Sequence, residues 1–205
     1  MATGSLRTIG EGGGSTPSTA INFENVTGTQ FDDTLILGTL LEEIILDLDG
    51  GAGIDLLDSS QTASAVEIDL ATGSLRTIGE EGGGTSSSAI NFENVTGTEF
   101  DDTIVGDDLD NVIRGGKGND VLSGGAGADT FVFFEEDAGV DVILDFEFGV
   151  DSLQFLTSNP EVTSENLLAS VVQVDDGMAL ALNNKLISFE NVIGTSLVVD
   201  DFLIG

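Results

Sequence analysis

The chain contains no cysteine, histidine, tryptophan or tyrosine, and only 2 prolines and 5 basic side chains. The absence of cysteine excludes disulfides, cysteine nucleophiles and iron–sulfur clusters. The absence of histidine excludes a Ser-His-Asp triad and histidine-ligated zinc or haem. No apolar run approaches the roughly 18 residues of a transmembrane helix. The first ten residues, MATGSLRTIG, also lack the pattern of a signal peptide.

Acidic side chains dominate the charge, with 37 Asp and Glu and a net charge of −32 over 205 residues. This charge argues against nucleic acid and against insertion at anionic membrane surfaces, because both require clustered Lys and Arg. The chain is not a disordered acidic tail, since 40% of it is apolar and its mean hydropathy is +0.21. A chain that buries a core at this charge is expected to need counter-ions, and dense carboxylates attract hard cations.

A long internal repeat links the two halves of the chain. Residues 2–34 align without a gap to residues 71–103, at an offset of 69, with 28 of 33 positions identical. A weaker echo, FENVIGTSLVVDDFLIG, ends the chain at 189–205. SAVEIDL precedes the second copy and predicts a strand by its alternation. Only Met1 precedes the first copy, so we expect the chain to begin inside a repeat of a longer protein.

A period of nine residues runs inside these units. Each nine begins with Gly, has Asp or Asn at its sixth position and Ile, Leu or Phe at its eighth. The consecutive examples are GTEFDDTIV (97–105), GDDLDNVIR (106–114), GGKGNDVLS (115–123) and GGAGADTFV (124–132). Upstream, GTQFDDTLI (28–36) and GGAGIDLLD (50–58) follow the same rule, and GTLLEEIIL (38–46) follows it with Glu for Asp.

The residue types predict the shape of each nine. Glycines at positions one, two and four permit positive φ and a tight turn with exposed carbonyls. The sixth side chain projects a carboxylate towards those carbonyls, and positions seven to nine form a short strand whose eighth residue points inward. Stacking buries a continuous apolar stripe and aligns the carboxylates in a column. Such a column repels itself when empty and suits Ca²⁺, which prefers six to eight oxygen ligands.

The pattern GGxGxDxUx, where U is a large apolar residue, resembles the RTX nonapeptide of secreted bacterial proteins, a calcium-binding parallel β-roll. The likeness is strongest over 97–132. Residues 127–155 resemble the exit from such a roll into a C-terminal cap. LVVDDFLIG (197–205) resembles the acidic-then-apolar ends of proteins exported by type I secretion. The resemblance implies an all-β solenoid, a parallel β-roll or β-helix, with a small C-terminal β-rich cap containing one short helix.

The same resemblance implies several Ca²⁺ ions held between stacked turns. Because two nines make one coil, Asp102 and Asp120 are expected on one edge and Asn111 and Asp129 on the other. The predicted ligands, the glycines through their carbonyls, are Asp102, Asp120, Gly116, Gly118, Asp108, Asn111, Asp129, Gly125, Gly127, Asp55, Gly51, Gly53 and Asp33. Asn111 is neutral, so Asp107, Asp108 or Asp110 is expected to supply charge. GTEFDDTIV lacks the second and fourth glycines, so its turn is expected to differ.

The domain prediction is a roll over 1–134, containing the duplicated unit, and a cap of the same solenoid over 135–205. Predicted strands lie at about 24–27, 34–37, 44–48, 66–70, 92–96, 103–105, 112–113, 121–122, 130–134 and 141–146, with a helix at 161–170 and a hairpin at 171–182. Residues 10–20 and 79–89 are predicted to be flexible loops. The 12 Phe, including Phe31 and Phe100, are predicted to be core. Asp141, Asp145 and Asp151 form either a further calcium site or solvated strand faces.

The sequence therefore predicts a non-catalytic calcium-binding module that folds on extracellular Ca²⁺ and supports secretion and stability of a larger secreted bacterial protein. Its partners would be calcium ions and the type I secretion machinery, reached through a C-terminal signal. One alternative is an adhesive solenoid that presents threonine rows to a glycan or another surface; those threonines are Thr27, Thr29, Thr34, Thr96, Thr98 and Thr103. The other alternative is the non-catalytic tail of a secreted protease, lipase or epimerase.

Overall fold

A computed structural model describes residues 18–20, 25–38, 47–79, 84–174, 177–182, 185–190 and 197–205. Nearly all regular structure in these ranges is β-strand. In chain order the strands are β1 (Ser18–Ala20), β2 (Asn25–Thr27), β3 (Thr34–Leu37), β4 (Asp47–Asp49), β5 (Leu56–Asp58), β6 (Ala65–Asp69), β7 (Ser74–Ile78), β8 (Ser86–Ile90), β9 (Asn94–Thr96), β10 (Thr103–Val105), β11 (Val112–Arg114), β12 (Val121–Ser123), β13 (Thr130–Phe134), β14 (Gly139–Ile143), β15 (Ser152–Leu156), β16 (Val171–Val174), β17 (Gly177–Leu182), β18 (Lys185–Glu190) and β19 (Phe202–Ile204). Helix α1 (Ser164–Ala169) precedes β16, and a 3-10 turn (Val199–Asp201) precedes β19.

The strands form two sheets around one apolar core. The first sheet has the order β1-β3-β5-β9-β11-β13-β15-β19, and the second β16-β17-β18-β14-β12-β10-β6-β7-β8-β4-β2. From β9 to β15 the chain alternates between the sheets, so every two strands complete one coil and neighbours in a sheet are parallel. The predicted parallel β-roll is confirmed.

Two edges join the sheets. The first edge contains turns that run from the first sheet to the second, such as 97–102 and 115–120. The second edge contains turns that run back, namely 28–33, 50–55, 106–111 and 124–129. Turns 18 residues apart therefore lie on the same edge in successive coils, because two nines make one coil.

The eighth residue of each nine fills the core, as its position in the strand predicts. Leu57, Ile104, Ile113, Leu122 and Phe131 are each 0% exposed. Burial of one such side chain contributes about 1.5–3 kcal/mol. In-register stacking extends the stripe along each sheet, and Ile104 lies beside Leu122 in the parallel ladder of the second sheet.

The phenylalanine prediction holds for most of the named rings but fails at the fourth position of the GTxFDD turns. Phe131, Phe133 and Phe155 are buried in β13 and β15. Phe31 and Phe100 were predicted to be core but are 51% and 45% exposed. Both occupy the fourth position of a nine, which belongs to the turn and points away from the stripe.

Two antiparallel meanders, β6-β7-β8 and β16-β17-β18, are built into the second sheet. The first corrects the loop prediction for 79–89, because Ser86–Ile90 forms β8. Its serines show no apolar alternation, and backbone pairing to β4 and β7 holds the strand. Residues 80–83 lie outside the described part of the chain, as do 10–17, while Ser18–Ala20 forms β1.

Equivalent strands of the two repeat copies lie in opposite sheets. Asn25–Thr27 belongs to the second sheet, whereas its copy Asn94–Thr96 belongs to the first. Thr34–Leu37 belongs to the first sheet, whereas its copy Thr103–Val105 belongs to the second. The chain crosses between sheets an odd number of times from one copy to the next. The predicted threonine rows are therefore split between two faces, and in its own sheet Thr96 is flanked by Asp58 and Arg114.

The C-terminal part contains the predicted helix in a shorter form, Ser164–Ala169. Thr163 caps it, since its Oγ1 accepts a hydrogen bond from the Asn166 N–H at 3.2 Å. The predicted hairpin corresponds to β16 and β17; its turn residues 175–176 lie outside the described ranges. Parallel stacking continues beyond residue 134 through β14, β15, β18 and β19. In the described residues no helix has the length and apolarity needed to cross a membrane.

Candidate metal centre in the stacked turns

The first glycine is required in the nines of the stacked turns, such as those at 97–105 and 106–114, because successive turns are in close contact. A Cβ on Gly97 would lie 2.3 Å from the carbonyl oxygen of Gly115 and 2.6 Å from Asp102 Oδ2. On the second edge, a Cβ on Gly106 would likewise lie 2.1 Å from the carbonyl oxygen of Gly124. A side chain at position one would therefore push apart the carbonyl and the carboxylate that face each other across the turns.

The turns have two shapes. In GGKGND, Gly116 and Gly118 take φ of +109° and +110°, values that favour glycine. In GTEFDD, Thr98 has no positive φ, its N–H donates to Asp102 Oδ2 at 2.6 Å, and its Oγ1 lies 3.0 Å from both carboxylate oxygens. The missing second glycine thus changes the turn, and a threonine binds the carboxylate instead.

The sixth residues form the expected columns. The Asp102 N–H donates to Asp120 Oδ1 at 2.9 Å on the first edge. On the second edge the Asn111 N–H donates to Asp129 Oδ1 at 2.9 Å. The N–H of Asp33 donates to Asp55 Oδ1 at 2.7 Å, also on the second edge. The structure therefore brings together the residues of all three predicted pairs, each pair in adjacent coils.

Carbonyls of the lower turn point at the glycines of the upper turn in each pair. A Cβ on Gly116 would lie 2.1 Å from Thr98 O, and one on Gly118 would lie 2.5 Å from Phe100 O. The other pairs repeat this arrangement. A Cβ on Gly125 would lie 2.1 Å from Asp107 O, one on Gly127 2.5 Å from Leu109 O, one on Gly51 2.2 Å from Thr29 O and one on Gly53 3.0 Å from Phe31 O. These lower-turn carbonyl oxygens are further candidate metal ligands, which the sequence did not identify.

The neutral Asn111 has an acidic neighbour. Its Nδ2 donates to Asp107 Oδ1 at 3.2 Å and to the Glu93 carbonyl at 2.9 Å. Asp110 Oδ1 accepts from the Ala128 N–H at 2.8 Å, whereas Asp108 is exposed. Of the three acids considered for this site, Asp107 is the one in contact with Asn111.

Burial sets the electrostatics of the columns. It raises the pKa of Asp55, Asp102 and Asp129 from 3.8 to about 6. The pKa of Asp120 rises to about 8, first through burial and then through the nearby charges of Asp141 and Asp102. Carboxylates with these values are poorly accommodated as bare anions, so the columns favour a neutralising cation.

Two buried carboxylate oxygens in the columns show whether these sites suit Ca²⁺. Asp55 Oδ2 and Asp120 Oδ2 accept no hydrogen bond, although both residues are 0% exposed. A buried carboxylate oxygen without a partner is costly, and a cation satisfies it. Within the described ranges no three acidic side chains lie close enough together to hold a metal ion alone. The shell must then include backbone carbonyls, a donor set of oxygens only that suits Ca²⁺.

Both columns extend beyond the predicted pairs. Asp120 N–H donates to Asp141 Oδ1 at 3.1 Å, Asp129 N–H to Asp151 Oδ1 at 3.0 Å, and Asp55 N–H to Glu93 Oε2 at 2.8 Å. Asp141 lies on the first edge and Asp151 on the second, so Asp141, Asp145 and Asp151 do not form one site. Asp145 instead accepts from the N–H groups of Gly124 and Gly125.

A sequence signal for these extra members exists. EDAGVDVIL (136–144), FEFGVDSLQ (146–154) and SAINFENVT (88–96) are nines without the leading glycines. Each keeps a positive-φ residue at position four, an acid at six and an apolar residue at eight. The position-four residues are Gly139, Gly149 and Asn91, and Asn91 has φ +56°.

A second ladder of side chains lies outside the columns, at position five. Asp101 Oδ1 accepts from the Asn119 N–H at 2.7 Å, and Asn119 Oδ1 accepts from the Val140 N–H at 2.9 Å. Asp32 and the Ile54 N–H repeat the contact on the second edge. The acidic or amide residue directly before position six is the signal for this ladder, which fixes the spacing of the turns.

Comparison with known proteins identifies the repeat. The RTX calcium-binding nonapeptide repeat, in four copies, matches residues 96–131. The crystal structure of the extracellular lipase LipA from Serratia marcescens is similar at 18% identity and a TM-score of 0.47, over 94% of this chain and 40% of that one. This chain thus spans well under half of that protein. No curated protein matches the sequence. Residues 96–131, which contain Asp102, Asp120, Asn111 and Asp129, are RTX calcium-binding nonapeptide repeats within a parallel β-roll.

Proposed function

We propose that this chain is a calcium-binding β-roll module that folds when it binds extracellular Ca²⁺ and thereby supports the secretion and stability of a larger secreted bacterial protein. The observation that carries the proposal is the pair of buried carboxylate oxygens, Asp55 Oδ2 and Asp120 Oδ2, that accept no hydrogen bond. Both belong to columns of buried acids that face backbone carbonyls of the neighbouring turn.

Three turn pairs would hold the ions. Asp102 and Asp120 would bind one ion with carbonyls of the turns that carry them, and Asp33 and Asp55 another. The third would use Asn111 and Asp129, with the charge of Asp107 beside the amide. The bound cation neutralises carboxylates that otherwise repel one another in a low-dielectric site.

Coupling of binding to folding follows from where these groups lie. The unfolded chain does not assemble two turns that are 18 or 22 residues apart, so ions bind the folded state and their binding free energy stabilises it. In a cytoplasm poor in Ca²⁺ the acidic columns would oppose folding, and millimolar Ca²⁺ outside the cell would remove that opposition. Each ion adds two charges, so three ions would change −32 to about −26, which keeps the module soluble.

Export through a C-terminal signal is part of the proposal. The final segment combines acidic residues with exposed apolar side chains: Val198 is 47%, Leu203 43% and Ile204 41% exposed. The role proposed for the module is in binding and folding, with no catalytic step. Because the threonines are split between two sheets, the structure offers no row of them to favour an adhesive function.

Far-UV circular dichroism tests the proposal directly. In excess chelator we expect a coil-like spectrum, and addition of Ca²⁺ but not Mg²⁺ should produce a β spectrum. Intrinsic fluorescence is unsuitable because Trp and Tyr are absent. An unchanged β spectrum in chelator would refute folding on calcium.

A matched pair of variants locates the effect. Asp102→Asn with Asp120→Asn removes two column charges, and we expect it to raise the Ca²⁺ concentration needed for folding. Glu165→Gln removes an exposed charge from helix α1 and should leave that concentration unchanged. Equal midpoints for the two variants would argue against ligand roles for the column.

A further inference from the structure

Lys185 places an ammonium group at the upper end of the first-edge column. Its Nζ lies 2.6 Å from Asp141 Oδ2 and 4.0 Å from Asp120 Oδ2, and it donates a hydrogen bond to the Gly116 carbonyl at 3.1 Å. The residue is only 5% exposed. Strand β18 positions it, because Lys185 pairs with Gly139 of β14, next to the turn that carries Asp141.

Two carboxylate oxygens and one backbone carbonyl oxygen surround this ammonium. The calcium site proposed one coil below uses the same two kinds of oxygen. Asp120 and Asp141 are column carboxylates of consecutive coils, and Gly116 contributes a carbonyl from a GG turn. At the lower level, Asp102 and Asp120 face each other with the Thr98 carbonyl nearby. No Lys or Arg of the described residues contacts Asp102.

We propose that Lys185 is a built-in cation that replaces Ca²⁺ at the upper level of the first edge. The column over Asp102, Asp120 and Asp141 then binds one Ca²⁺, between turns 97–102 and 115–120. Removal of the ammonium would open a second divalent-cation site on Asp120, Asp141 and the Gly116 carbonyl. This inference rests on the proposed calcium-binding function.

Charge balance supports the assignment. Three ionised carboxylates, one ammonium and one divalent cation sum to zero, whereas two divalent cations beside the ammonium would leave a buried positive excess. Buried charge is tolerated only when it is compensated, so the balanced set is favoured. The other basic residues of the described chain are used elsewhere: Arg76 pairs with Glu67, Lys117 with Glu99 and Arg114 with Asp137.

The assignment gives the C-terminal meander a specific task. Lys185 belongs to β18, while Gly116 and Asp120 belong to the nonapeptide turns. The ammonium therefore ties the meander to the repeat without a metal ion at that level of the folded column.

The test compares Lys185→Met with Lys117→Met in the full chain. Lys117 forms an exposed ion pair, with its side chain 47% exposed, so its variant controls for loss of one positive charge. Calcium stoichiometry is measured by titration calorimetry and by native mass spectrometry, and melting is followed by circular dichroism. We expect Lys185→Met to bind about one more Ca²⁺ than the parent chain and to need more Ca²⁺ to fold. Lys117→Met should match the parent in both respects.

Two outcomes separate the inference from a plain ion pair. Unchanged stoichiometry, with the same loss of stability at every Ca²⁺ concentration, would overturn it.

If Lys185→Met does not fold at all, the double variant Lys185→Met with Asp141→Asn decides between the two explanations. A double variant that folds with the parent stoichiometry would show that an uncompensated carboxylate was the cause, and one that stays unfolded would overturn the inference. A parent chain that binds no Ca²⁺ refutes the proposed function, while ion uptake by Lys185→Met alone still decides the inference.

Discussion

Acidification should replace calcium as the agent that folds the metal-free chain. The column carboxylates of the folded state have pKa values of about 6 for Asp55, Asp102 and Asp129 and about 8 for Asp120, against 3.8 for the unfolded chain. A raised pKa means that the folded state binds more protons than the unfolded state. The metal-free fold therefore gains stability as pH falls from 8 towards 4 and loses it as pH rises through the same window.

The size of the effect follows from proton counts. At pH 7 the folded form of these four groups would hold about one proton more than the unfolded form, about three quarters of it on Asp120. At pH 5 the difference grows to between about three and four protons, because all four groups then retain their protons only in the folded state. Each additional proton contributes about 1.4 kcal/mol of stability per pH unit.

The assay is a set of urea titrations followed by far-UV circular dichroism, in chelator and in saturating Ca²⁺, between pH 8 and pH 5. In chelator the unfolding midpoint should rise on acidification. In Ca²⁺ it should fall, because protons compete with the ion for the same oxygens. About 0.5 M potassium chloride in both series screens the exposed acids and leaves the buried columns as the main source of the pH dependence.

The variants provide the refuting comparison. Asp102→Asn with Asp120→Asn removes two of the four titrating groups and should flatten the chelator series, while Glu165→Gln should leave its slope unchanged. If acidification lowers the midpoint in chelator, or if the two variants have equal slopes, the columns do not have the buried character described above.

Two further predictions concern packing. Leu122→Ala should lower stability by about 2–5 kcal/mol in saturating Ca²⁺, because Leu122 is 0% exposed, whereas Leu109→Ala should have little effect because Leu109 is 53% exposed; equal urea midpoints would contradict this. Gly97→Ala should weaken Ca²⁺ binding, since its Cβ would meet Gly115 O at 2.3 Å, whereas Gly38→Ala should not, since a Cβ there has no atom of the described residues within 4 Å. Calorimetry that gave one affinity for both variants would show that the close approach is unimportant.

The repeat made the coil predictable because each nine carries its structure locally. Glycine sets the turn, the eighth residue sets the inward face, and the strands at 103–105 and 130–134 coincide with β10 and β13. The pairings of Asp102 with Asp120 and of Asn111 with Asp129 followed from the same period. Strands without that pattern escaped prediction: β7 and β8 pair through their backbones, and Ser86–Ser88 gives no apolar alternation.

The sheet in which a strand lies could not be predicted. A strand of Asn-Val-Thr occurs in both repeat copies, as Asn25–Thr27 and Asn94–Thr96, yet the copies lie in different sheets. The local sequence is the same in both copies and does not specify the sheet: Asn25–Thr27 ends the second sheet beside β4, whereas Asn94–Thr96 lies between β5 and β11 in the first. The choice depends on how many times the chain has already crossed between sheets, which is a property of the whole path. Lys185 escaped prediction for a similar reason, since 69 residues separate it from Gly116.

Comparison of the turns separates the residues that build a coil from those that prepare it for a metal. An acid or amide at position six and an inward apolar residue at position eight are enough to build a turn and strand of the coil. EDAGVD (136–141) has both without a glycine pair. The glycine pair at positions one and two occurs in 50–55, 115–120 and 124–129, the upper turns of the three proposed calcium sites. Turn 136–141 is the upper turn at the level where Lys185 supplies the cation, and it has Glu136 and Asp137 at those positions. The close approach itself does not depend on the pair, because a Cβ on Gly139 in turn 136–141 would lie 1.7 Å from the Gly118 carbonyl oxygen. The glycine pair therefore distinguishes the upper turns of the three proposed calcium sites, whereas the single glycine at position four is enough to let turns stack.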